Sequence, residues 1–207
     1  MQRAFYLVAN LMAGFMDFGV GCLIAVTFSL ILNHPISWWE PLVAGAVFNL
    51  LPDYDIVPFI LRRGFTGKPF DFDHHQTLFH WPMMMVSMMT LAVLLLFGSY
   101  WGVVACVCLI AHYIHDAWFM KNGFWWIIRP FPKYEGDTHY LPPGDWIKEN
   151  WFKPSKLSFT EVMIGSISVG VSVGIFTRDA QWALVAFLFL VGGAYTFWML
   201  CRELKYA

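Results

Sequence analysis

Three short stretches of the 207-residue chain hold the side chains whose types and spacing can do chemistry. They are Leu50-Leu51-Pro52-Asp53-Tyr54-Asp55, Asp71-Phe72-Asp73-His74-His75-Gln76-Thr77-Leu78-Phe79-His80 and His112-Tyr113-Ile114-His115-Asp116. His112 and Asp116 are four apart, so on a helix they project from one side, with His115 close to that side. An imidazole and a carboxylate placed this way can share a metal ion, or the carboxylate can orient the imidazole from behind. Asp53 and Asp55 follow a helix-breaking proline, and irregular backbone there can turn both carboxylates inward. His75 and His80 are five apart, which suits a loop entering a helix better than one helical face. Together Asp53, Asp55, His75, His80, His112 and Asp116 offer nitrogen and oxygen ligands and no sulfur. That set suits zinc, manganese or iron and is less typical of calcium or magnesium alone. The candidates outnumber the ligands of one tetrahedral ion, so a two-ion site with a bridging aspartate is also open.

Each of these residues also has a plainer reading. Asp and His beside membrane ends are often simple interfacial groups, and a single histidine is more often structural than a ligand. His112 and Asp116 stand apart because they close an apolar segment, where ionisable groups are costly and functional by default. Asp17 lies deep in the first apolar segment; pairing inside the bundle and lining a cavity are both open. Arg62, Arg63 and Lys68 can bind a phosphate, but setting topology explains them fully. Cys22, Cys106, Cys108 and Cys201 sit in apolar runs without a CxxC, and read as reduced, buried, small apolar residues.

The elements that must position these groups follow from composition. Hydrophobic residues make up 58% and charged residues 13%, with a net charge of −1. A soluble domain carries about 25% charged residues. The charge balance also excludes a generic nucleic-acid binder, which needs a strong cationic field. The chain reads as one all-α polytopic membrane domain over residues 1–207, with 11 Trp and 20 Phe suited to headgroup-level belts and lipid-facing packing. Six apolar segments are expected: about Ala4–Leu32, Ile36–Leu51, Trp81–Leu96, Trp101–Met120, Phe159–Phe176 and Gln181–Leu200. The second is short and is broken at Pro52. With the N-terminus in the cytoplasm, all of the 13 positive residues except Arg178 fall inside. Lys and Arg resist translocation, so both termini are expected in the cytoplasm. The long connection 121–157, rich in Trp, Pro and Gly, is expected to lie on the cytoplasmic surface as an interfacial anchor or lid. All three polar stretches then meet at the cytoplasmic end.

At these residues the sequence resembles the YdjM-like family, LexA-regulated, metal-dependent hydrolases of the bacterial inner membrane. The family's Leu-Pro-Asp-x-Asp stretch is matched by Leu51-Pro52-Asp53-Tyr54-Asp55. Its His-Arg-Gly-x-Thr-His signature is matched in spacing by His75 and His80, with Gln76-Thr77-Leu78-Phe79 between them. Its His-x-x-x-Asp is matched by His112 and Asp116, followed by Gly123 and Pro130-Phe131. Asn10 stands before Gly14 where the family usually has a histidine. The likeness covers roughly residues 5–132.

The resemblance implies a multi-pass inner-membrane hydrolase that uses metal-activated water, with zinc first and manganese or iron next, as one or two ions. Asp55 or His115 would take the remaining proton. Location at a membrane surface favours a phosphoester or other ester of an amphiphilic, lipid-like substrate. Membrane lipids are the expected surroundings, nucleic acid is not a partner, and a protein partner or a second copy is open. A non-enzymatic accessory subunit is the main competing class. An ion or proton transporter using Asp17, His112 and Asp116 ranks third, because its polar groups would be spread across the membrane rather than gathered at one end.

Overall fold

The structure is a computed structural model that describes the backbone of residues 2–55, 57, 78–119 and 156–206. Among these residues every regular element is helical. Helix α1 runs Gln2–Ile31, α2 is the short Trp39–Val43, and a π-helix Ala44–Asn49 continues it. A 3-10 turn Pro52–Asp55 and another, Leu78–His80, flank the undescribed stretch. Then come α3 (Pro82–Phe97), α4 (Ser99–Phe119), α5 (Lys156–Thr177) and α6 (Ala180–Tyr206). Two windows, Gly14–Ile31 and Thr160–Thr177, are long and apolar enough to cross a membrane by length and composition. Pro82–Phe97 and Ala180–Gly193 are apolar but shorter. The connection 121–157 lies outside the described residues except for its last two, which begin α5.

The second apolar segment differs from the single span Ile36–Leu51. Pro41 is tolerated in the first turn of α2, where no intrahelical donor is needed. The hydrogen-bond register then widens, and the Leu50 N–H reaches back to the Gly45 carbonyl at 3.3 Å. Register shifts of this kind occur frequently at functional sites. Pro52 ends the element, and the Asp53 N–H closes a tight turn on the Leu50 carbonyl at 3.1 Å.

Contacts between helices fix their relative directions. Along α1, Gly21 lies against Gly45, and Asp17, nearer the chain start, meets Asn49. The π-helix therefore runs antiparallel to α1. Helix α4 does the same: the Tyr100 hydroxyl donates to the Ala25 carbonyl at 3.1 Å, while His115 meets Asp17. Helices α3 and α4 form a hairpin across Gly98, whose φ of 88° only glycine adopts freely. Helix α5 packs on α1 at Gly19 and Gly165, where a Cβ on Gly19 would sit 2.6 Å from the Gly165 carbonyl oxygen.

At the Ile31 end, His34 stacks on Tyr100 with ring centroids 3.8 Å apart and pairs with Glu40 at 3.0 Å. Trp39 stacks on Trp101 there. The buried core joins Ala25, Ala44, Phe48, Val93, Val104 and Cys108. The outward faces of α3 and α6 stay apolar, with Leu95 at 75% and Phe189 at 80% exposure.

Candidate metal centre

The antiparallel packing brings Asp53, His80, His112 and Asp116 to one level. Asp53 comes from the turn after Pro52, and His80 from the turn just before α3. His112 and Asp116 come from the second half of α4. Tyr113, itself buried, holds the His80 segment by donating its hydroxyl to the Phe79 carbonyl at 2.5 Å.

The four side chains alternate in a ring. His80 Nε2 lies 3.6 Å from Asp53 Oδ1 and 3.7 Å from Asp116 Oδ2. His112 Nε2 lies 3.7 Å from Asp53 Oδ1 and 3.3 Å from Asp116 Oδ2. Asp53, His80 and His112 each offer a donor atom within 4.8 Å of the other two. A closed imidazolium–carboxylate hydrogen bond is about 2.7–2.9 Å; His112 and Asp116 come near that, and the other three contacts are longer. Of the four side chains, Asp53, His80 and His112 fit ligands facing a common centre, and Asp116 borders the two imidazoles. Bonds of about 2.0–2.1 Å at tetrahedral angles set neighbouring donors about 3.3 Å apart. Neither nitrogen of His112 meets a hydrogen-bond partner at bonding geometry among the described residues. His80 and His112 side chains are 1% exposed and Asp116 4%, while Asp53 is 35% exposed. Asp53 is therefore the ring member through which the centre reaches the surface.

A second tier backs this ring. Asp17, expected either to pair in the bundle or to line a cavity, pairs. Its carboxylate accepts from His115 Nδ1, with oxygens at 3.0 and 3.1 Å. The Asn49 amide donates to the Asp17 carbonyl at 2.6 Å and stands 3.3 Å from Oδ1. Asp17 Oδ2 also lies 3.6 Å from His112 Nδ1. On the far side, His115 Nε2 faces Glu161 Oε1 of α5 at 3.8 Å. Asp17, Asn49, His115 and Glu161 are all buried.

Of the expected ligands, Asp53, His80, His112 and Asp116 come together. His75 lies outside the described residues, as does the side chain of Asp55, whose backbone ends the Pro52–Asp55 turn. His115 is close by, directed at Asp17 and Glu161. The side chain of Asn10 on α1 is likewise outside the described set. Sequence reasoning missed Asn49 and Glu161. Glu161 carried a usable signal, being the only acidic residue in the apolar helix Lys156–Thr177. Comparison of the chain with protein-family models, with curated proteins and with solved structures gave no match.

Proposed function

We propose that this is a six-span protein of the bacterial inner membrane, with both termini cytoplasmic, and that its ring binds a divalent transition metal and hydrolyses an amphiphilic ester. The observation carrying the reading is the ring itself: two buried imidazoles and two carboxylates 3.3–3.7 Å apart, three of them close enough to share one ion. The two helices long enough to cross and the apolar outer faces of α3 and α6 support the membrane assignment. The order of the three motifs supports a YdjM-like relationship.

Asp53, His80, His112 and Asp116 would hold the ion. Zinc fits this mixed set first, and manganese or iron next. A second ion would draw on Asp55 and His75. A bound divalent ion supplies a Lewis acid and water acidic enough to ionise near neutral pH. Asp53 presents the ring to the surface. We assign proton acceptance to Asp55, which shares that partly exposed turn, rather than to His115, which is buried between Asp17 and Glu161.

The substrate class rests on the setting: a hydrolytic centre in a membrane protein meets amphiphilic esters and phosphoesters first. Asp17 stands fourteen residues before the end of α1, about 21 Å at 1.5 Å per residue. In a hydrocarbon core of about 30 Å, the centre then lies roughly 10 Å inside the opposite boundary. A lipid ester, whose linkages lie at that boundary, would reach the centre from the side of Asp53, the ring member with 35% exposure. Three of the four ring side chains are at most 4% exposed, which also suits a structural ion in an accessory subunit.

Elemental analysis of the detergent-purified chain beside a His80→Ala, Asp116→Ala variant tests the centre. We expect near-stoichiometric zinc, manganese or iron in the parent and none in the variant. A parent that takes up no ion after exposure to each would refute the metal centre. Bound metal without turnover of any phospholipid-like ester would favour the accessory subunit.

A further inference from the structure

We propose that Asp17 is the positioning residue of the centre, a single carboxylate that sets the proton and the aim of both His112 and His115. The inference rests on the ring binding a metal. An imidazole that ligates through Nε2 carries its proton on Nδ1. His112 is buried, and Asp17 Oδ2 stands 3.6 Å from its Nδ1, a gap that a shift of about half an ångström on loading the ring would close to a hydrogen bond. The same carboxylate already holds His115 Nδ1 at 3.0 Å. Asn49 anchors Asp17 from the π-helix, and Glu161 faces the other nitrogen of His115 from α5. Helix α1 thus contributes to the centre through a group that touches no ion. Carboxylates that accept from a ligating histidine fix its tautomer and ring orientation, and losing them typically weakens metal binding 10–100-fold.

The arrangement makes the isosteric Asp17→Asn variant informative. Asn49 donates toward the Oδ1 position, so an amide keeps its one acceptor oxygen there and turns its NH₂ to the Oδ2 position, which faces both rings. Each ring must then shift its proton to Nε2, which for His112 removes a ligand. Cobalt titration of the full-length detergent-purified protein, followed by its visible absorption, reads affinity and ligand field together. We expect cobalt to bind Asp17→Asn 10–100-fold more weakly than the parent, with an altered band. A purely structural role would lower the thermal midpoint and leave the affinity of the folded protein unchanged. Binding equal to the parent's overturns the inference. Should the variant not fold, nitrogen-15 NMR of the zinc-loaded, histidine-labelled parent decides, with His112 assigned by its loss in His112→Gln. A proton on His112 Nδ1 with Nε2 as ligand supports the proposal, and a proton on Nε2 overturns it. A parent that binds neither zinc nor cobalt refutes the metal centre itself, an outcome distinct from a parent that binds and a variant that binds equally well.

Discussion

Replacing Asn49 with aspartate preserves its shape and inverts its role beside Asp17. The amide nitrogen of Asn49 lies 2.6 Å from the Asp17 carbonyl and 3.3 Å from its carboxylate. An oxygen anion there would face two acceptors where a donor now stands. Two unit charges 3.3 Å apart repel by about 5 kcal/mol at an effective dielectric constant of about 20. The alternative is to take up a proton, which at pH 7 costs a carboxyl of ordinary pKa near 3.9 about 4 kcal/mol. Asn49→Asp should therefore destabilise the protein by about 4 kcal/mol. Asn49→Ala adds no charge and loses hydrogen bonds to a carboxylate-bearing residue, about 1.5–3 kcal/mol. The difference, about 2 kcal/mol, corresponds to roughly 4–8 °C for a chain of this size. Thermal unfolding in detergent, followed by tryptophan fluorescence, should rank parent above Asn49→Ala above Asn49→Asp. Steric fit alone predicts the reverse order, because aspartate fills the site and alanine leaves a void. An Asn49→Asp protein as stable as Asn49→Ala, or more so, would refute the Asn49 amide as the donor that anchors Asp17.

Two other outcomes follow from the same geometry. Zinc at about one hundred times its dissociation constant should add about 2.7 kcal/mol, raising the thermal midpoint by roughly 5–11 °C. A chelator should reverse that shift, and His112→Ala should not show it. Gly19→Ala should cost about 1–3 kcal/mol by forcing α1 and α5 apart, because its Cβ would lie 2.6 Å from the Gly165 carbonyl oxygen. Gly192→Ala meets nothing within 4 Å, and its midpoint should stay at or above the parent's.

Much of this arrangement is written in local sequence. The apolar runs mark the long helices to within a few residues, because hydrophobic length is a local property. Trp81–Leu96 becomes Pro82–Phe97, and Trp101–Met120 becomes Ser99–Phe119. The pairing of His112 with Asp116 follows from helical spacing alone. What escaped the sequence depends on packing between distant segments. A π-helix differs from an α-helix in hydrogen-bond register, which the apolar pattern of Ala44–Asn49 does not encode. Without that shift there is no local reason to aim Asn49 at Asp17, thirty-two residues away. The link from Glu161 to His115 requires α5 to lie on α1, and the glycines at 19 and 165 that allow the approach carry no signature of their partner.

The break in the second apolar segment sets the depth of the centre. Trp39, opening α2, stacks on Trp101 near the start of α4, so the two elements leave the same level side by side. From Trp39 to Asn49 the chain descends about 15 Å at helical rise. From Trp101 to His112 the descent is similar, about 16 Å. The turn at Pro52 therefore comes where α4 presents His112 and Asp116, and Asp53 meets His80 and His112 there instead of beyond them. A continuous helix carried from Asn49 through to Asp53 would take its carboxylate about one further turn down, roughly 6 Å. Pro52 is thus required at this position for a reason separate from hydrophobic length. It stops a descending segment part-way and leaves a carboxylate, 35% exposed, at the level of two buried histidines.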